Sequence, residues 1–165
     1  DIIIINGAPG SGKTSIAREL RSAFNFPLID LDHIRGSYLD KEWTNANPKE
    51  AQMAFEVCCS MAKKFINFGL KNIIITSLIA EHLRQLPSFL SDHNYQIISL
   101  VVNDKQVLGQ RIKTPGRDSG FRDVDLSWEQ QSKELTRALL PHEIRLNTTQ
   151  NSLSETVEKI TSILK

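Results

Sequence analysis

The chain has 165 residues, 40% of them hydrophobic and 24% charged, with a formal net charge of +1. This composition suits one domain with a real core. Lys and Arg are scattered with no basic block, so nucleic acid is not the expected partner. No apolar stretch is long enough to span a membrane. Cys58 and Cys59 are neighbours in a predicted helix and point apart, which suggests neither a disulfide nor a zinc site.

The chain begins inside an apolar run, Asp1 followed by four isoleucines, with no basic leader; a cytoplasmic location is the expectation. Residues 2–5 read as the first strand. Ile16, Ala17, Leu20 and Phe24 form the apolar stripe of a helix, and residues 27–31 read as the second strand. Ala51, Phe55, Cys58, Ala62 and Phe65 recur at spacings of three and four, which predicts a longer helix. Residues 72–76 read as the third strand. Pro87 interrupts the stretch after that strand, so its helix is short, kinked or late to start. Residues 96–102 read as the fourth strand. Val107, Leu108 and Ile112 mark another helix, opened by Asp104 as its N-cap. Residues 113–125, rich in Gly, Arg and Asp, read as a mobile loop or lid. Ser127 and Gln130 carry a capping-box pattern, as do Ser152 and Glu155 around a fifth strand at 143–147. The last helix buries Leu153, Val157, Ile160 and Leu164. The alternation predicts a single three-layer α/β/α domain over residues 1–165, with a parallel sheet, helices on both faces and right-handed crossovers.

Gly7, Ala8, Pro9, Gly10, Ser11, Gly12, Lys13 and Thr14 fit G-x-x-x-x-G-K-[ST] at every fixed position, directly after an apolar strand and directly before an amphipathic helix. Glycines let the backbone turn its N–H groups onto a phosphate, and the helix N-terminus adds free donors and partial positive charge. These residues, with Ser15 next in the helix, are assigned to ATP. Lys13 reaches the β- and γ-phosphates, and the Thr14 hydroxyl is a candidate ligand for Mg²⁺.

The second strand ends in Asp30-Leu-Asp32, and on an extended strand both carboxylates face one side. They stand at the sheet edge where the phosphate loop emerges. Phosphoryl transfer needs a carboxylate near the attacking hydroxyl and benefits from another near the metal. Asp32 is assigned as the base at the acceptor, Asp30 to the metal side through water, and Arg35 to a polar or anionic part of the acceptor. One aspartate capping the following helix is the alternative. Arg117 and Arg122 in the lid are assigned to the charge of the transferred group, and Arg111 to stacking on adenine. Pairing of the lid arginines with Asp118, Asp123 and Asp125 is the competing reading.

With these residues in view, the chain resembles the small P-loop kinases related to nucleoside monophosphate kinases, which implies strand order 2-3-1-4-5. Asn6-Gly7 and the helix end Asn67-Phe-Gly-Leu70 resemble chloramphenicol phosphotransferase. Asp30-x-Asp32 is similar to shikimate kinase, Asp32-x-x-Arg35 to the kinase module of polynucleotide kinases, and Gly7 to Lys13 to an adenylate kinase loop. The chain departs from these patterns as well. Thr76-Ser77 ends the third strand with no carboxylate, and neither the Asp-Gly-Phe-Pro-Arg run of adenylate kinases nor the triple glycine of shikimate kinases is present. Arg84 is a further candidate for the acceptor site, or a surface residue, and Tyr38 and Trp43 for an aromatic wall.

The resemblance implies an ATP- and Mg²⁺-dependent kinase whose partner is a small hydroxylated acceptor: an antibiotic, sugar, nucleoside or shikimate-like alcohol. Two alternatives stay open. One is a 5′-hydroxyl polynucleotide kinase, with Arg35, Lys41 and Lys49 as its basic track. The other is a nucleotide-dependent binding protein with no acceptor. The oligomeric state is not encoded in any visible stripe.

Overall fold

The computed structural model describes residues 1–40, 42, 47–117 and 119–164. Five strands form one parallel sheet: β1 (Ile2–Asn6), β2 (Leu28–Asp30), β3 (Ile73–Thr76), β4 (Tyr95–Val101) and β5 (Glu143–Asn147). Their order is β2-β3-β1-β4-β5, as expected. The helices are α1 (Lys13–Phe24), α2 (Leu31–Ile34), α3 (Pro48–Asn67), α4 (Ala80–Phe89), α5 (Lys105–Lys113), α6 (Val124–Thr136) and α7 (Leu153–Ile163), with a π-helical turn at Arg35–Leu39.

Period-two alternation sorts the strand side chains into two cores. Ile2, Ile4, Ile73, Ile75 and Ile97 pack with Phe55, Cys58 and Ala62 of α3 and Leu83 and Leu86 of α4. Ile3, Ile5, Ile74, Ile98 and Leu100 pack on the other face with Ile16, Ala17 and Leu20 of α1 and Val157 and Ile160 of α7. Each fully buried Ile contributes about 1.5–3 kcal/mol of transfer free energy. A smaller third core joins Val102 to Leu108 and Ile112 of α5, with Val124 and Trp128 of α6 against it. Among the described residues, no helix is long and apolar enough to cross a membrane.

The structure corrects three local expectations. Leu153 of the last helix is exposed rather than buried. The second strand stops at Asp30, because the Asp30 side chain accepts the Asp32 N–H at 3.0 Å and starts α2 at Leu31. The helix after the lid begins at Val124, capped by Asp123, whose carboxylate accepts the Leu126 N–H at 2.9 Å. Ser127 is therefore not a cap. It lies inside α6 and is fully buried. The connecting loop shortens to 114–123. Pro87 sits inside α4, which is short at 10 residues.

A buried polar line crosses the sheet toward its β5 edge. Asn6 donates to the Ser99 hydroxyl at 3.1 Å, and Ser99 donates to Glu143. Arg137 closes on both Glu143 oxygens and also pairs with Glu134. Burial of Glu143 would raise its pKa. The Arg137 guanidinium, the Leu140 N–H and the Ser99 hydroxyl outweigh that and hold it below the usual carboxylate range.

Candidate active site

Parallel pairing sets Thr76 opposite both Ile5 and Asp30, so β1, β2 and β3 end together. The phosphate loop, Asp30 and Ser77 thus meet at the carboxyl edge of the sheet, where open α/β sheets bind ligands.

Gly12 carries the turn from loop to helix at φ +100, with open space where a Cβ would stand. Asp30, Asn47, Asp104, Asp123 and Ser152 cap α2, α3, α5, α6 and α7 with their side chains, whereas α1 and α4 have no side-chain cap, and of these two only the start of α1 lines the cavity described below. The N–H groups of Lys13, Thr14 and Ser15 have no carbonyl four residues back within the helix, which leaves them for an anion.

A cavity of about 1150 Å³ opens over this helix start. It is lined by the loop from Pro9 to Ser15, by Asp30, Asp32 and Ser77, by Arg111 and Arg117, and by Thr148 and the segment from Asn151 to Leu153 near β5. The volume exceeds the usual range for a single small ligand, roughly 300–1,000 Å³. Gly7 and Ala8 stand behind the lining, and Ala8 is buried with its carbonyl accepting the Ser11 N–H at 3.1 Å.

Lys13 and Asp32 face each other electrostatically in this cavity. Loss of solvation lowers the Lys13 pKa; Asp32 and Asp30 oppose that shift, and Arg117 adds to it. Loss of solvation raises the Asp32 pKa, and the neighbouring Asp30 charge raises it further. The Ser77 hydroxyl, Lys13 and Arg35 pull it back. Asp32 is open to the cavity but walled by protein, which accounts for the desolvation. It reaches this place from the first turn of α2, not from an extended strand.

Ser77 is the site residue that sequence reasoning missed. It takes φ +68 immediately after β3, a left-handed conformation that costs a non-glycine residue about 1–3 kcal/mol. The available signal was position: a hydroxyl one residue past a buried strand, next to the strand that delivers the phosphate loop.

The family model AAA_18, AAA domain, matches residues 3–135. The chain belongs to this family. The AAA_18 chain is similar to shikimate kinase from Corynebacterium jeikeium (strain K411), 26% identical over 103 residues, covering 61% of this chain and 54% of that protein. It is also similar to cytidylate kinase from Saccharolobus islandicus (strain L.S.2.15 / Lassen #1), 39% identical over 84 residues, 48% of this chain and 44% of that one. The chain thus spans about half the length of the curated relatives it matches. Among solved structures, a sugar kinase from Janibacter sp. HTCC2649 aligns with a TM-score of 0.71 at 15% identity, over 99% of this chain and 93% of that one. The tunicamycin resistance protein of Deinococcus radiodurans gives 0.71 at 19% identity, over 99% and 94%. These likenesses establish the P-loop kinase fold.

The remaining predicted residues of the AAA_18 chain fall on both sides of the cavity wall. Arg117 lines it and donates to the carbonyls of Ile112 at 3.1 Å and Phe121 at 3.2 Å. Arg122 is exposed, stands outside the lining, and donates to the carbonyls of Ser119 and Phe121. Asp123 is engaged as a cap and Asp125 pairs with Lys105 at 2.7 Å, so neither holds these arginines. Asp118 lies outside the described residues. Arg111 lines the cavity while donating to the Thr148 hydroxyl at 3.1 Å and carbonyl at 2.6 Å, which fixes its guanidinium plane. Arg35 is outside the lining: it pairs with Asp40 at 3.3 Å with both side chains nearly buried. Arg84 is exposed on α4, pairs with Glu81 at 3.3 Å and is outside the cavity lining. Tyr38 is exposed in the π-helical turn; Lys41 and Trp43 lie outside the described residues.

Proposed function

We propose that this chain is an ATP- and Mg²⁺-dependent kinase that transfers the γ-phosphate to a hydroxyl of a small molecule. The observation that carries this reading is that Lys13, at the start of α1, and Asp32, at the start of α2, line one cavity. A carboxylate with a raised pKa is a better proton acceptor, and a cavity-lining position gives it access to a bound hydroxyl. The named relatives, shikimate kinase and cytidylate kinase, support phosphoryl transfer as the class of chemistry.

In this reading the loop N–H groups and Lys13 bind the phosphates, and Arg111 flanks the base. The acceptor O–H gives its proton to the Asp32 carboxylate as its oxygen bonds to the γ-phosphorus. The bond from that phosphorus to the β,γ-bridging oxygen breaks, and ADP leaves with the electron pair. Arg117 faces the charge that spreads over the transferred group. The donor set suits Mg²⁺: the Thr14 hydroxyl and Asp30 line the cavity, and no group of three or more His, Cys, Asp or Glu able to cage a metal occurs among the described residues. Mg²⁺ is ordinarily held by one or two protein groups plus phosphates and water, where it neutralises phosphate charge.

The test is transfer of labelled γ-phosphate from ATP with Mg²⁺. Sugars, antibiotics, nucleosides and shikimate form one acceptor pool, and a 5′-hydroxyl oligonucleotide the other. Label in the small-molecule pool is expected. Label on the oligonucleotide alone replaces this reading with a polynucleotide kinase. Label in neither, with ATP bound, leaves a nucleotide-dependent binding protein.

A further inference from the structure

Two carbonyls of the phosphate loop accept hydrogen bonds from side chains far along the chain. The Ser127 hydroxyl, on the buried face of α6, donates to the Pro9 carbonyl at 2.6 Å across 118 residues of sequence. The Thr148 hydroxyl, buried after β5, stands 3.3 Å from the Ser11 carbonyl. Ser127 is fully buried and does not line the cavity, so its bond draws the Pro9 oxygen away from that space. No described peptide bond is cis. In a trans peptide the C=O and the N–H point in opposite directions. Fixing the Pro9 oxygen outward therefore turns the Gly10 N–H inward. Gly10 does line the cavity, at φ +83, and a Cβ there would meet Ile112 of α5 at 2.8 Å.

We infer that Ser127 is a positioning residue for phosphate binding: its hydrogen bond to Pro9 aims the Gly10 N–H at the phosphates. The inference rests on the proposed nucleotide site and adds a residue that the sequence pattern of the loop does not contain. Without the Ser127 anchor the peptide can rotate, and the donor must be reorganised at each binding event.

The experiment measures affinity for inorganic tripolyphosphate, which has neither base nor ribose, and for ATP. It compares wild type, Ser127→Ala and Ser127→Cys, each checked for folding by thermal melting. The cysteine fills the space of serine but donates weakly. Both variants should bind both probes about tenfold more weakly, the loss expected for one misdirected hydrogen bond to a charged group. The Gly10 amide proton should move downfield on tripolyphosphate addition in wild type and much less in either variant. Unchanged affinity in a folded Ser127→Ala protein overturns the inference. So does recovery of wild-type affinity in Ser127→Cys, which would make the role one of packing. Wild-type protein that binds neither probe removes the nucleotide site itself, a failure distinct from either of these.

Discussion

Ser77 sets its hydroxyl on the same cavity wall as the Asp32 carboxylate, from a left-handed backbone position at the end of β3. Its influence opposes the effects of desolvation and of Asp30, and so favours an ionised Asp32 at a lower pH than its surroundings alone would allow.

The first prediction concerns the pH dependence of this pair. A base works deprotonated, so transfer should fall on the acid side with an apparent pKa above the ordinary carboxylate value. Ser77→Ala removes the donor and should move that limb to higher pH. Ser77→Gly relieves the backbone conformation and also lacks the hydroxyl, so it should move the limb equally. A shift in Ser77→Ala alone would assign the effect to backbone strain.

Asp32→Asn should lower transfer by roughly 10²–10⁴-fold while leaving ATP affinity close to wild type. The same change should raise the melting temperature of the ligand-free protein. The folded-state pKa of Asp32 lies above its unfolded value, so the folded protein binds more protons. Stability therefore declines as pH rises from the ordinary carboxylate range through the raised value, and asparagine removes that decline. A lower melting temperature at neutral pH would contradict the sign.

Asp30 combines two roles that substitution can separate. Its side chain caps α2, and its charge lines the cavity beside Thr14. Asp30→Asn retains a good cap; Asp30→Ala should cost about 1 kcal/mol of stability from the cap alone. Both should demand more Mg²⁺ for half-maximal transfer. Equal Mg²⁺ dependence in Asp30→Asn and wild type would reduce Asp30 to a cap.

Lys13→Ala should abolish nucleotide-dependent transfer with the fold intact in circular dichroism. Because desolvation lowers the Lys13 pKa, wild-type nucleotide affinity should decline on the alkaline side below the ordinary lysine value. The Ala variant should lack this limb in any residual binding.

Glu143→Gln leaves Arg137 paired with Glu134 alone, and losing the charge-assisted bonds to Glu143 should cost about 1.5–3 kcal/mol. The folded pKa of Glu143 is depressed, so its contribution is present above the unfolded carboxylate value. It is lost as pH falls through the lower folded value. Denaturant midpoints in wild type and variant should converge in acid.

The sheet and its two main cores were legible because continuous isoleucine runs specify strands covered on two faces, and the helical stripes specify what covers them; the family resemblance added the strand order. The phosphate loop was legible because its chemistry is local, eight residues in one turn. The second strand ends earlier than its pattern suggests because Asp30 belongs both to an Asp-x-Asp pattern and to an N-cap; its hydrogen bond to the Asp32 N–H ends the strand, and the residue still lines the cavity. Ser127 fitted a capping box by spacing, but its partner is Pro9, a contact across 118 residues that no local pattern encodes. Ser77 was hidden for a related reason: its role depends on a carboxylate delivered from beyond another strand. Arg35 and Arg84 carry the right charge for an acceptor; in the structure Arg35 pairs with Asp40 and Arg84 with Glu81, and neither lines the cavity.

The four isoleucines of β1 have no solvent exposure, and the strand lies between β3 and β4. Its amides should be among the last in the chain to exchange with deuterium, because they open only in global unfolding. The phosphate loop starts immediately after this strand. Gly7 would thus divide the slowest-exchanging backbone from a loop held by side-chain hydrogen bonds from Ser127 and Thr148. The boundary between local and global opening would run through the active site rather than along its rim.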